Sequence, residues 1–201
     1  SDLRRQRQMC IRDSLYFARH DGQAVTCDDF LAAMADANHV NLEAFGRWYE
    51  QAGTPQITMR RSPGSSPDEM VLALAQHTPE TAAKTPRHAL PIPIRIAFLD
   101  ATGAIVPTKL AEDAPAKFEH VILLEKDQQD QPIYAANASG LTPSILRNFS
   151  APVTIDDDLS SDERHHIMRH DTDLFNRWDT AQTLISDEIL AVAANPSVPV
   201  N

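Results

Sequence analysis

Apolar side chains near the start of the chain recur with the spacing of a helix. Thr26 and Asp29 are placed as the two members of a capping box, with Phe30, Leu31 and Met34 following as an apolar stripe. The pattern predicts a helix from Thr26 to Asn38 that packs one face.

A second helix is predicted directly after the first. Asn41 can cap it, and Gly53-Thr54-Pro55 is a stop signal. Its apolar face comprises Leu42, Phe45, Trp48 and Tyr49. The two segments predict a helical hairpin.

Beyond Pro55 the apolar period changes to two. It is clearest where Ile92, Ile94 and Ile96 alternate with less apolar residues, which predicts a half-buried strand. Pro93 interrupts that strand, and proline removes a backbone donor, so we expect the strand at a sheet edge.

Shorter runs of the same kind follow between turn residues. They are Ile57–Met59, Met70–Ala75, Ala104–Val106, Phe118–Leu124, Ile145–Phe149 and Val153–Ile155. About seven short strands in roughly 100 residues are typical of an antiparallel sandwich of the immunoglobulin (Ig) type.

Helical spacing returns in the last quarter of the chain. Ser160 and Glu163 form a second capping box, and a long amphipathic helix is predicted from Asp173. Its apolar stripe comprises Phe175, Trp178, Ala181, Ile185, Ile189 and Val192. Few helical partners for this stripe lie within the sequence, so we expect neighbouring helices beyond the C-terminus.

The charge and composition of the chain exclude some classes of binding partner. The chain has 18 Lys and Arg against 28 Asp and Glu, a net charge of -10. Nucleic acid and anionic membrane surfaces would repel it. Its cysteines are Cys10 and Cys27, and no apolar run approaches the roughly 20 residues that span a bilayer. We expect a reduced, soluble compartment.

The first fourteen residues differ from the acidic chain that follows them. They are basic and lack periodicity, and residues 9–13, MCIRD, resemble the translation of a transposon-end adapter used in sequencing libraries. We expect residues 1–14 to be an adapter artefact without functional meaning, Cys10 included.

A pair of imidazoles is the nearest approach to a metal motif. His166 and His170 stand at i and i+4, with His165 beside them, as in zinc peptidases. Ile167 occupies the place where those enzymes carry a glutamate general base. We therefore interpret this helix face as solvated and not as a metal site.

Two other groupings are interpreted structurally. His20-Asp21 and Cys27-Asp28 could form a nucleophile pair, but we expect a turn followed by a helix that begins at a half-buried Cys27. Trp48 and Trp178 could stack on a ligand, but core packing is the commoner role. We assign no catalytic, cofactor-binding or metal residue.

Several sequence segments resemble the bacterial aminopeptidase N family of zinc metallopeptidases. Residues 16–30 read YFARHDGQAVTCDDF, and further matches cover residues 15 to 195 in order. They are FGRWY at 45–49, QAGTP at 51–55, FSAPV at 149–153, MRHD at 168–171 and FNRWDTAQ at 175–182.

The resemblance implies a multidomain α and β fragment of such an enzyme. Residues 15–55 would be the last helices of the thermolysin-like peptidase domain, 56–155 an Ig-like antiparallel β-sandwich, and 156–201 the start of a C-terminal helical domain. The family's zinc motif, His-Glu-x-x-His, and its Gly-x-Met-Glu-Asn strand do not occur in the sequence.

The expected function follows from this assignment. The intact parent would be a cytoplasmic zinc enzyme that removes N-terminal residues from peptides, whereas this chain alone would bind no zinc and be inactive. Its partners would be the flanking domains of the same protein. The alternative is a stand-alone β-sandwich that serves as a binding module without enzymatic activity.

Overall fold

The structure is a computed structural model that describes residues 13–80 and 87–194. Cys10 and nearly all of the adapter-like segment lie outside these ranges. The described residues divide into two compact units, residues 13–53 with 80 and 87–91, and residues 54–79 with 92–194. Each unit is described by itself.

The first unit contains the predicted helical hairpin. Residues 13–20 are helical (α1), and α2 (Cys27–Asn38) and α3 (Glu43–Glu50) follow. The capping box is present, because Thr26 N–H donates to Asp29 Oδ2 at 2.8 Å and Asp29 N–H donates to Thr26 Oγ1 at 3.3 Å. Asn41 Oδ1 accepts the N–H of Glu43 at 2.8 Å, although Leu42 is the N-cap residue.

An extended segment, residues 87–91, lies along α3. Arg47 donates to the carbonyl of Ala89 at 2.8 Å, and the Trp48 indole donates to that of Pro91 at 3.2 Å. Trp48 is half-buried in this contact. Cys27, expected to be half-buried, is exposed, because the first turn of α2 faces solvent.

The second unit confirms the Ig-like sandwich followed by helices. Eight strands form two sheets, ordered β6-β2-β1-β8 and β4-β3-β5, with β7 pairing β3 as well. The strands are β1 (Gln56–Pro63), β2 (Glu69–His77), β3 (Ile92–Leu99), β4 (Ile105–Val106), β5 (His120–Leu124), β6 (Gln128–Tyr134), β7 (Thr142–Ile145) and β8 (Thr154–Asp156). All pairings are antiparallel except that of β1 with β8.

The sandwich has an apolar core built from alternating strand positions. Fully buried side chains include Ile57, Met59, Leu72, Leu74, Ile94, Ile96, Phe98, Leu124 and Ile133. Each contributes about 1.5–3 kcal/mol of transfer free energy relative to exposure. The period-two pattern of the sequence is therefore the main source of the sandwich's stability.

Pro93 does not mark an edge strand, and that prediction is wrong. β3 has β5 on one side along Ile92–Ile96 and β7 on the other along Ile96–Leu99. The N–H of Arg95 faces the β7 side, where it donates to Ser150 Oγ at 3.0 Å. Pro93 precedes Arg95 by two residues and faces the same way, where β7 has already ended. Its missing donor therefore costs no ladder bond.

The predicted strand over Ile145–Phe149 is also wrong. β7 ends at Ile145, and Arg147–Phe149 form a 3₁₀ turn. Leu146, Asn148 and Phe149 all have positive φ, between 49° and 57°, which an extended strand cannot contain.

Two helices complete the second unit. α4 (Ser161–His170) begins with the predicted capping box of Ser160 and Glu163, and α5 (Leu174–Ala194) follows after a short connection. On α5 the apolar residues Trp178, Ile185 and Ile189 remain more than half exposed. Within the described ranges, no helix is both long and apolar enough to cross a membrane.

Candidate functional site

A buried polar cluster lies where the sandwich meets the helices; we call it the junction cluster. It comprises Ser144 on β7, Arg147 in the 3₁₀ turn, Asp171 in the α4–α5 connection and Asn176 in the first turn of α5. The Arg147 side chain is 6% exposed and that of Asp171 is 0% exposed. Two opposite charges have thus been removed from water together.

Arg147 is the centre of this cluster. Its Nη1 donates to Asp171 Oδ1 at 2.5 Å and to Ser144 Oγ at 3.0 Å. Nη2 donates to Thr172 Oγ1 and Nε to Glu119 Oε2, each at 3.0 Å. These bonds use four of the five guanidinium donors, as an ion pair withdrawn from water requires.

Ser144 and Asn176 connect strand to helix directly. The Asn176 amide donates to Ser144 Oγ at 2.7 Å and to the Ile145 carbonyl at 2.9 Å. The Ser144 hydroxyl donates to Asp171 Oδ2. Every polar group in the centre of the cluster therefore has a partner, the condition under which a buried polar network fixes one arrangement of its elements.

Asp173 joins the left-handed turn to α5. One carboxylate oxygen accepts the N–H of Asn176 at 2.9 Å, the bond of an N-cap residue. The other accepts the N–H of Asn148 at 2.8 Å. The strained turn is thus held by the same side chain that starts the helix.

The arrangement is a structural lock and lacks the elements of a catalytic site. Ser144 is fully buried, and its hydroxyl is committed to Asp171. A nucleophilic serine requires a neighbouring base and access to a substrate. No histidine hydrogen-bonds Ser144 among the described residues.

A second set of contacts ties the start of α4 to β1. Arg61 makes a bidentate contact with Glu163, Nη2 to Oε2 being 3.0 Å, and its Nε donates to Asp158 Oδ1 at 2.8 Å. Burial raises the pKa of Glu163, but hydrogen bonds from Arg61 and Ser160 outweigh it and lower that pKa to about 2.

Among the histidines of α4, His166 is half-buried and contacts the sandwich, whereas His165 and His170 are exposed. His166 Nε2 donates to the carbonyl of Asp100 at 2.8 Å, and His165 Nδ1 lies 2.7 Å from the Ser161 carbonyl. The face at His166 is therefore half-buried on the sandwich, not fully solvated as expected. The described ranges hold no cluster of three or more metal-ligating side chains.

The remaining sequence candidates lie in separate settings. The His20 ring packs on that of Tyr16 at 5.5 Å, and Cys27 is exposed and unpaired with another cysteine. Trp178 is 57% exposed, so the prediction of core packing is wrong for it. Its ring contacts Phe175 at 6.0 Å between centroids.

The junction cluster was not predicted from the sequence. Ser144 and Asp171 are 27 residues apart, and no pattern in the sequence indicates that they meet. One usable signal was Asn176, a polar residue next to the apolar stripe in the first turn of α5. The other was Asp173, an acidic residue placed as an N-cap.

The fold and the junction cluster together define the class of protein: an Ig-like sandwich followed by helices that are fixed to it. Residues 53–158 match the family described as "Domain of unknown function (DUF3458) Ig-like fold", and residues 161–201 match the accompanying family described as ARM repeats. The chain belongs to the DUF3458 Ig-like family.

The chain is similar to one region of bacterial aminopeptidase N. The chain is 35% identical to aminopeptidase N of Escherichia coli over 175 residues, which are 87% of this chain and 20% of that protein. It is 36% identical to aminopeptidase N of Caulobacter vibrioides over 188 residues, 90% of this chain and 20% of the relative. The chain thus spans about a fifth of the length of the curated relatives it matches.

A solved structure shares the fold. The chain superposes on Legionella pneumophila aminopeptidase A, crystallised with aspartic acid, with a TM-score of 0.74 and 23% sequence identity. The superposition covers 94% of this chain and 20% of that one. At this identity the similarity is one of fold.

Proposed function

We propose that this chain is a non-catalytic connecting part of a zinc-dependent aminopeptidase that hydrolyses N-terminal residues from peptides in the cytoplasm. Two relatives above 30% identity carry the name aminopeptidase N, and their matches cover most of this chain. The sequence contains no His-Glu-x-x-His motif, so the zinc and the reacting groups would come from elsewhere in the parent.

The junction cluster is the observation that supports a connecting role. A spacer must hold the elements next to it in one arrangement. The buried ion pair between the turn after β7 and the α4–α5 connection does so for the sandwich and the helices of the second unit. We assign residues 15–55 to the peptidase domain, 56–155 to the spacer and 156–201 to the helical domain. The partners are then the flanking domains, and peptides bind to the whole enzyme.

A second candidate is a stand-alone binding module. The sandwich has a complete apolar core and needs no further chain to bury it. Against it stand the exposed apolar residues of α5, which a self-sufficient protein would cover.

Purified alone, the chain is expected to have no aminopeptidase activity. We expect no hydrolysis of alanine p-nitroanilide above the buffer rate with equimolar zinc, because the sequence lacks the His-Glu-x-x-His motif that would hold the zinc and supply the general base. Zinc binding by calorimetry and mass by light scattering complete the measurement, with E. coli aminopeptidase N as the positive control.

Hydrolysis by the isolated chain that a chelator abolishes would contradict the proposal. A monodisperse, inactive chain that captures one ligand through the sandwich would favour the binding module. Concentration-dependent association through exposed helices would favour the connecting part.

A further inference from the structure

A groove of about 570 Å³ lies between the sandwich and α5; we call it the junction groove. The apolar residues that line it include Leu146, Phe149, Phe175 and Trp178. The charged residues that line it are Asp157, Arg164 and Asp179. This volume is in the range of ligand sites, which combine apolar walls with a few convergent polar groups.

The charges of the groove do not balance. Arg164 Nη2 lies 2.5 Å from Asp157 Oδ1, and the Asp157 side chain is 4% exposed, so these two residues neutralise each other. Asp179 is the remaining carboxylate. Within the described ranges no side chain or backbone donor lies at hydrogen-bond distance of it. The groove therefore carries one uncompensated negative charge.

The setting of Asp179 makes that charge costly. Burial raises the pKa of Asp179, Arg164 on α4 acts in the opposite direction, and Asp157 after β8 raises it further. A half-buried carboxylate that lacks a partner gains most from a cation that also excludes water.

Aromatic rings lie in the same groove. Phe149, Phe175 and Trp178 form a continuous row, with ring centroids 5.2 Å and 6.0 Å apart. Trp178 and Phe149 are more than half exposed. A guanidinium group stacks on such faces while donating to a carboxylate, whereas an ammonium group is more strongly hydrated and does not stack.

We propose that the junction groove is a binding site for an arginine side chain of a partner polypeptide, with the Asp179 carboxylate as its counter-ion and the Trp178 ring as its stacking surface. The uncompensated negative charge of the groove favours a cation, and its row of aromatic rings favours a planar cation that can stack. The site is independent of the proposed aminopeptidase activity, because no substrate or metal takes part in it.

The test is a titration of the ¹⁵N-labelled chain with N-acetyl-arginine amide, followed by amide and indole shifts. We expect saturable shifts at Trp178 Nε1 and Asp179 with millimolar affinity. The citrulline analogue has nearly the same shape and no charge, and we expect it to bind at least about tenfold more weakly, the difference between a charge-assisted and a neutral hydrogen bond.

Two variants make the test specific. Asp179→Asn keeps the shape and removes the charge, so the arginine compound should lose about tenfold or more in affinity. Asp187→Asn is the matched control, because Asp187 lies exposed on the same helix and outside the groove. This variant should bind the arginine compound with unchanged affinity. Dispersed spectra establish that both variants are folded.

The pH dependence has a definite sign. The cation binds the ionised carboxylate, so affinity should be full above the pKa of Asp179 and fall as the pH drops through it, starting above the ordinary value of 3.8. Three results would overturn the proposal: no shift at about 50 mM ligand, far above a millimolar Kd, equal binding of the citrulline compound, or unchanged affinity of Asp179→Asn.

Discussion

Replacing Arg147 with methionine should lower the free energy of unfolding by about 3–5 kcal/mol. Methionine fills much of the same volume, but it leaves the carboxylate of Asp171, 0% exposed, without its counter-ion. The bonds from Arg147 to Ser144 and Thr172 are lost as well. Urea unfolding, followed by circular dichroism, measures the change.

Arg95 provides a matched control, because it pairs with Glu119, which also accepts a hydrogen bond from Arg147. Arg95 also pairs with Glu119, at 3.5 Å, but the two side chains are about 40% exposed. Because exposed ion pairs contribute about 0–1 kcal/mol, Arg95→Met should have a small effect. Similar losses for the two variants would show that the junction cluster has no special part in stability.

Replacing Gly103 with alanine should cost about 2–4 kcal/mol, the sum of backbone strain and overlap. Gly103 has φ of 88°, which disfavours a side chain. A Cβ there would lie 2.3 Å from Cγ and 2.4 Å from Cβ of His170. Since these atoms lie near the backbone of α4, the helix itself must shift. Thermal unfolding of the purified variant measures the loss.

A double-mutant cycle separates the two causes. In a His170→Gly background the overlap is relieved and only the strain of φ remains, so Gly103→Ala should cost about 1–2 kcal/mol less than in the parent. An equal cost in both backgrounds would mean that α4 does not pack on this turn as described.

The sequence predicted those helices and strands that are determined by residues close together in the chain. The capping boxes at Thr26 and Ser160 start α2 and α4, since a cap is a contact three residues long. The alternation of Ile92, Ile94 and Ile96 marks β3, because one face of the strand is in the core. The resemblance to aminopeptidase N was confirmed by relatives that are 35% and 36% identical over most of this chain.

Elements that depend on distant residues were missed or misplaced. β6 begins with Gln128-Gln129-Asp130-Gln131, which contain no apolar side chain, so no alternation of apolar and polar residues indicates a strand there. The strand forms by its antiparallel pairing with β2. The turn after β7 has a strand-like composition, but its backbone is held in the left-handed region by Asp173, 25 residues from Asn148.

The junction cluster lay beyond sequence reasoning for the same reason. The cluster consists of a serine, an arginine, an aspartate and an asparagine. These residue types usually lie on protein surfaces, so the sequence does not show that they are buried. They become a network only once β7 and α5 are side by side. Trp178 was predicted to lie in the core but is exposed. Helical periodicity predicts that a helix has an apolar face, but it does not predict which residues cover that face.

The most direct test of the central claim is a chimera of E. coli aminopeptidase N in which the aligned fifth of its sequence is replaced by residues 15–194 of this chain. If the segment connects and does not catalyse, kcat/KM for alanine p-nitroanilide should stay within about tenfold of the parent. A second chimera with residues 56–155 alone guards against mismatch at the splice points. A folded chimera with the parent's zinc content and no activity would contradict the account.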